Sequence, residues 1–270
     1  MTTYDLVIIG GGAGAFSAAT KAADLGVRSV MINDGLPVGG TCVNVGCVPS
    51  KHLLAVGDDY YYPQRPVFDA VRNGHAPAFD FRAAIEEKRR LVGALRDSNY
   101  TDVLASFGGK VSLVEGRARF VSANEVEVNG ERIGGRKFVI ATGARPSVLP
   151  FPGIDSVNYL TNRTAMELEG LPASMTIIGA GPIGLELGQM FLHFGTQVTV
   201  LEKLPQVLPS VEPEVANELQ RSLEAEGMAI HCACDVRRVW EDGGRRFVEA
   251  DVNGAQHTFE AEELLLATGV

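Results

Sequence analysis

Short apolar runs closed by glycine turns open this chain. Asp5–Ile9 reads as a short buried strand, Gly10–Ala15 as a glycine-rich turn, the alanine-rich stretch to about Leu25 as a helix and Ser29–Asn33 as a second strand. The same order returns later. Met175–Ile178 predicts a strand, Gly179–Gly184 a turn, the stretch to about Phe194 a helix, and Gln197–Glu202 another strand. A third apolar phrase, Phe138–Gly143, predicts a buried strand ending in the small turn Ala-Thr-Gly, and Leu264–Gly269 repeats it. Between these landmarks, Tyr60–Pro66 reads as a proline-broken loop and Phe81–Leu104 has helical spacing with charges interspersed. Val111–Phe120, Glu125–Val128 and Arg132–Ile133 suggest a small antiparallel meander with a turn at Asn129-Gly130.

Two strand–turn–helix–strand units predict an α/β protein with two Rossmann-like, three-layer (ββα) nucleotide-binding domains. In each unit the first glycine of the Gly-x-Gly-x-x-Gly/Ala pattern permits a tight turn. The second lets backbone approach a pyrophosphate, and the small third residue lets helix and strand pack closely. The phosphates would sit at the helix N-terminus, where unpaired N–H groups and the dipole favour negative charge. A carboxylate at the end of the second strand would accept from a ribose 2′-hydroxyl. Glu202 stands 23 positions after Gly179 and favours NADH, with only Lys203 as a nearby counter-charge. In the first unit the same count from Gly10 reaches Asn33, whereas counting back from Gly39-Gly40-Thr41-Cys42 reaches Asp34, which is preferred because it carries charge.

Composition narrows the class. The 270 residues are 46% apolar and 21% charged, which fits a globular protein of one large or two ordinary domains. A net charge of −9 argues against nucleic acid or an anionic membrane as the main partner. No apolar run approaches the ~20 residues of a membrane helix. The apolar start lacks a basic leader, so a cytoplasmic location is expected. Four cysteines do not make a secreted disulfide scaffold.

Residues 39–51, Gly-Gly-Thr-Cys-Val-Asn-Val-Gly-Cys-Val-Pro-Ser-Lys, carry the chemistry. Cys42 and Cys47 lie slightly more than one helical turn apart, and Gly46 gives the backbone freedom to bring their sulfurs within disulfide range. So short a loop constrains the unfolded chain weakly, which points to redox exchange; a structural bridge or two buried thiols are the alternatives. Cys232 and Cys234 flank one residue near an apolar strand, Met228–Ala233. Alternation would put them on one face, as small core hydrophobes rather than a metal or second thiol site. The histidines, His52, His75, His193, His231 and His257, show no ligand spacing.

The segment Gly39–Lys51 resembles the redox-active motif of the class I pyridine nucleotide–disulfide oxidoreductases, and its wording is most similar to the mercuric reductase branch. The resemblance extends over essentially all 270 residues, including both glycine fingerprints and both Ala-Thr-Gly phrases. It implies an FAD domain over 1–145, entered by the redox motif and containing a β-excursion, and an inserted NAD(P) domain over 146–270 behind the proline-rich entry Pro146, Pro150, Pro152. It implies that Cys47 is the flavin-proximal thiol and Cys42 the interchange thiol. A helix starting near Pro49 would point its positive end at Cys47. It pairs Lys51 with Glu186 beside the flavin N5, where the cation would stabilise reduced flavin.

FAD contacts are implied for Gly10, Gly12, Gly14, Ala15, Asn33 or Asp34, Gly40, Thr41, Lys51, Ala118, Ala141, Thr142 and Gly143. NADH or NADPH contacts are implied for Gly179, Gly181, Gly184, Glu202 and Gly269. Pro182 departs from the pattern, since many members carry there a tyrosine that covers the flavin.

The function implied is hydride transfer from NAD(P)H through FAD to the Cys42–Cys47 disulfide and on to Hg(II), transiently held by Cys42 and Cys47. Soft thiolates suit that metal. Dihydrolipoamide dehydrogenase or another disulfide reductase is the enzymatic alternative, and a catalytically inactive nucleotide-binding or redox-sensing module is the alternative of another class. Relatives continue with the rest of the FAD domain and an interface domain carrying a His–Glu pair. Either a fragment of a longer enzyme or a truncated gene product is therefore expected, homodimeric in its full form, with weak FAD binding and poor turnover by these 270 residues alone.

Overall fold

The computed structural model describes residues 2–65 and 77–270. His75 and Pro66, both part of the sequence reading, lie outside these described residues. The chain divides into two compact units: Met1–Pro49 with Arg89–Ala144, and Ser50–Lys88 with Arg145–Val270. Residues 50–65 and 77–88, placed in the first domain by sequence, cluster with the second unit. The physical reason is apolar. Leu53, Phe81, Ala84 and Ile85 are buried in the same core as Met190, Phe191 and Phe194.

Both expected βαβ units form. In the first, β1 (Thr2–Ile9) leads into α1 (Ala13–Asp24) and β2 (Ser29–Asn33). After these come α2 (Gly40–Val45), α3 (Cys47–Tyr61) and α4 (Phe81–Arg96), then a wide helical turn over Asp97–Thr101 and α5 (Asp102–Ser106). Strands β3 (Val111–Glu115), β4 (Arg119–Ser122), β5 (Glu125–Val128) and β6 (Glu131–Ile140) complete the sheet, whose order is β3-β2-β1-β6-β5-β4. Strands β3, β2, β1 and β6 run parallel; β5 pairs antiparallel with β6, and β4 with β5. Successive residues of β1 feed opposite faces, Ile8 packing with Phe16 and Ala19 of α1, and Val7 with Val126 and Val128 of β5.

The meander expected over 111–133 is corrected in two places. Val111–Glu115 joins the parallel sheet beside β2, because its apolar residues are needed against α1. The last strand is also longer than expected, running ten residues so that one strand pairs with both β1 and β5. The turn at Asn129-Gly130 is as read, with φ of 51° and 82°. Phe138–Gly143 is not wholly buried: the strand stops at Ile140, which is 68% exposed.

In the second unit α6 (Asn162–Ala165) precedes β7 (Ser174–Ile178), α7 (Pro182–Phe194), β8 (Gln197–Leu201), α8 (Pro213–Glu226) and β9 (Ala229–His231). Strands β10 (Cys234–Asp242), β11 (Arg245–Val252) and β12 (Ala255–Ala261) form an antiparallel sheet, and β13 (Glu263–Leu266) returns to the parallel one, ordered β13-β7-β8-β9. This order repeats β6-β1-β2-β3 of the first unit. Nearly continuous apolar strands match a parallel sheet covered on both faces. Among the described residues no helix is long and apolar enough to cross a membrane.

Candidate active site

Each fingerprint builds a cradle around a glycine that no other residue could replace. Gly10 has φ of 128° and its missing side chain would collide with the Ala141 carbonyl oxygen; Gly179, at 109°, faces the Ala267 carbonyl in the same way. The two Ala-Thr-Gly phrases are therefore the floors of two equivalent turns. Helix α1 starts after Gly12 and α7 after Gly181, neither with a side-chain cap. Their first-turn amides are thus available to an external anion, the arrangement a pyrophosphate fits. Gly40 packs so closely on Gly12 that a Cβ there would lie 2.6 Å from the Gly12 Cα. The first unit accordingly brings together Gly10, Gly12, Gly14, Gly40 and Ala141, with Ala15 buried beneath them. Thr142 and Gly143 follow on the exposed side. Ala118 packs elsewhere, on the core of Val7, Val30 and Ile32.

The redox motif folds as two helices with a break. Cys42 lies on α2 and Cys47 begins α3, with Gly46 between them at φ −130°, ψ −117°. A Cβ on Gly46 would stand 2.9 Å from the Thr41 carbonyl oxygen, so the break requires glycine. Both cysteines are exposed thiols, and a hydrogen bond from Cys42 to Cys47 joins them. That bond is the main cause raising the Cys42 pKa, with partial burial second. The helix behind them starts at Cys47 itself rather than near Pro49. Asn44, between the cysteines, was not singled out from the sequence. Its buried amide donates to the carbonyls of Pro37 (3.0 Å), Val38 (3.2 Å) and Gly40 (2.9 Å), and its Oδ1 accepts from Arg96 (3.3 Å). It ties the dithiol segment to the glycine turn; its signal in the sequence is only a polar residue amid small apolar ones.

In the second unit a cavity of about 900 Å³ opens at the C-terminal ends of the parallel strands. Gly179, Gly181, Pro182, Glu202, Asp235 and Gly269 are among the residues lining it. The Glu202 carboxylate is buried and accepts from the Ala180 N–H (2.7 Å) and the Leu204 N–H (2.9 Å). Gly184 touches Gly179 so closely that any side chain would strike its carbonyl oxygen. Lys203 pairs with Asp235 at 3.5 Å, so the one basic neighbour of Glu202 noted in the sequence already faces a carboxylate.

Lys51 and Glu186 meet across α3 and α7 at 2.5 Å. Both are substantially exposed, so the pair adds little stability and its value lies in placing charge. The second pair of cysteines does not share a face. Ala233 takes φ of 52°, which breaks the alternation and sends Cys232 and Cys234 into different cores. Burial, first among the causes, pushes the Cys234 thiol up to about 11 and raises Cys232 as well. Both behave as core residues. His193, which shows no ligand spacing in the sequence, has a structural place. It is buried with its ring between Asp58 (2.9 Å) and Glu226 (3.0 Å), stacked on Tyr61, and ties α3, α7 and α8 together.

Residues 4–270 match the family described as pyridine nucleotide-disulphide oxidoreductase. This chain belongs to that family. Its members are FAD- and NAD(P)H-dependent disulfide oxidoreductases. The mercuric reductase of Lysinibacillus sphaericus is 39% identical over 98% of the chain and 48% of its own length. A dihydrolipoyl dehydrogenase of Thermus scotoductus is 36% identical over the whole chain and 58% of its own length. Among solved structures, the HOCl-induced flavoprotein disulfide reductase RclA of Escherichia coli has a TM-score of 0.84 at 30% identity, covering 98% of this chain and 56% of that one. The chain thus spans about half the length of the curated oxidoreductases it matches.

Proposed function

We propose that this oxidoreductase chain passes electrons from NAD(P)H through FAD to the Cys42–Cys47 pair and that its final acceptor is Hg(II). The observation that carries the reading is the exposed pair of thiols, Cys42 and Cys47, held on two helices across the Gly46 break. FAD, when bound, takes hydride from NAD(P)H and releases two electrons. The residues fit it in the first unit: the uncapped amides of α1 would hold its pyrophosphate, with Gly10, Gly12, Gly14, Ala15, Gly40, Thr41, Ala141, Thr142 and Gly143 around it and a ribose contact at Asn33 or Asp34. NAD(P)H takes the cavity at Glu202 and Gly269. Lys51, steadied by Glu186, would offset the negative charge of reduced flavin.

At the dithiol, two electrons and two protons open the disulfide to two thiols. Thiolates then bind the soft cation, Cys42 meeting it first and Cys47 completing a two-sulfur site. Overall, NAD(P)H and Hg(II) give NAD(P)⁺, metallic mercury and one proton. The likeness to mercuric reductases supports this acceptor. The comparable likeness to dihydrolipoyl dehydrogenases favours a second reading in which the acceptor is an organic disulfide. A cytoplasmic setting, where a reversible thiol pair is kept in use, and a homodimeric full form belong to the same proposal.

The test is NAD(P)H oxidation measured with Hg(II), with lipoamide and with oxidised glutathione. Oxidation that depends on Hg(II) and falls at least a hundredfold in Cys42→Ser or Cys47→Ser is the expected result, on the order of a lost nucleophile or ligand. Turnover with a disulfide and none with Hg(II) would move the acceptor to the second reading.

A further inference from the structure

The two βαβ units differ in where they keep an acid. In the second, Glu202 follows the end of β8 and takes the Ala180 N–H on its carboxylate. In the first, the residue at the same count, Asn33, occupies the same place: it is buried, and its Oδ1 lies so close over Gly11 that a side chain there would strike it. Asn33 is not an acid, and both hydrogens of its amide are spent, on the Leu36 carbonyl (2.9 Å) and on Glu115 Oε2 (3.1 Å).

Glu115 is the register partner of Asn33, on the last position of β3, at the C-terminal edge of the parallel sheet where α/β ligands bind. By register, the matching position beside Glu202 is Cys232, since Leu201 pairs with His231. The carboxylate has thus moved one strand over, from the strand end to its neighbour, and an amide has taken its place. Asp34, the acid preferred from sequence alone, lies on the exposed side of the strand end.

We infer that Glu115, oriented by Asn33, is the acceptor for the adenosine ribose hydroxyls of the dinucleotide in the first unit; this rests on the reading of that unit as the FAD site. One oxygen of Glu115 is fixed by the Asn33 amide and the other is left for the 2′-hydroxyl. Asn33 is a positioning residue and Glu115 the contact.

The measurement is flavin-fluorescence titration of the chain with FAD and with the analogue whose adenosine lacks the 2′-hydroxyl. A carboxylate that accepts from that hydroxyl discriminates between the two by about tenfold or more. Reading a ratio makes the outcome independent of how tight the binding is. Glu115→Ala is expected to remove the discrimination, and Asp34→Ala to leave it. Discrimination that survives in Glu115→Ala, or disappears in Asp34→Ala, overturns the inference alone. No uptake by the unsubstituted chain even at about 1 mM FAD, a concentration that reveals weak binding, overturns the inference together with the reading beneath it.

Discussion

Cys42 holds its proton to higher pH than an ordinary thiol, because the S–H is engaged by Cys47 and partial burial disfavours the thiolate. Alkylation proceeds through the thiolate, so a raised pKa slows the reaction at neutral pH and moves its rise to higher pH. The pH profile of iodoacetamide labelling at Cys42, followed by peptide mass spectrometry, should therefore lie above that of a model thiol, near about 8.5. In Cys47→Ala the hydrogen bond and the neighbouring charge go together, and the profile should shift down toward the model value. An unmoved profile would mean that burial rather than Cys47 sets the proton. Cys234, pushed up to about 11 by burial, serves as the internal control and should stay unlabelled in the folded chain. For the proposed chemistry, a protonated Cys42 beside Cys47 keeps the reduced pair from presenting two like charges at one site.

A pair of glycines in one turn separates what holds an element from what the element is for. Gly179 has φ of 109° and faces the Ala267 carbonyl, so Gly179→Ala forces β7 away from β13. A cost of roughly 2–4 kcal/mol is expected, seen as a lower Tm. Gly181 has an ordinary φ of −74° and open space around its Cα, so Gly181→Ala loses only the N-cap preference of glycine over alanine, about 0.5–1 kcal/mol, and Tm should fall less than in Gly179→Ala. If α7 receives the coenzyme pyrophosphate, the added methyl stands in its path, and NADH affinity should drop about tenfold with the fold intact. Equal effects of the two substitutions on stability would undo this division. Both glycines were legible in the sequence because strand, turn and helix repeat twice with the same spacing. The meander was legible only in part. Val111–Glu115 has the same apolar pattern whether it pairs parallel to β2 or antiparallel to a neighbour, and only packing on α1 decides. The shared face expected for Cys232 and Cys234 failed for a local reason, the left-handed Ala233, which nothing in an alanine announces. The packing partner of Leu53, Phe81, Ala84 and Ile85 was not legible, because helix amphipathicity tells that a face is buried and not against what.

At the scale of the whole molecule, two opposing fields meet an incoming coenzyme. The chain carries a net charge of −9, and at the cavity proposed for the coenzyme Lys203 faces Asp235 while Glu202 is buried in the wall. The attraction on offer is the amide end of α7, and a helix-end field fades within about one turn. Net charge acts farther out, over a Debye length of about 10 Å at 0.1 M salt and about 30 Å at 0.01 M. An anionic dinucleotide is therefore repelled before it is captured. Salt should screen the repulsion at a distance and leave the short-range amide contacts largely intact. Stopped-flow measurement of NADH binding should show an association rate that rises as salt goes from about 0.01 to 0.15 M, by roughly two- to fivefold, with the dissociation rate changing less. A basic, focusing site would show the reverse, with association slowing as salt is added. A falling association rate would therefore mean that the field at the cavity mouth is set by lysines and arginines around it, and that the acidic surplus of the chain lies elsewhere on its surface.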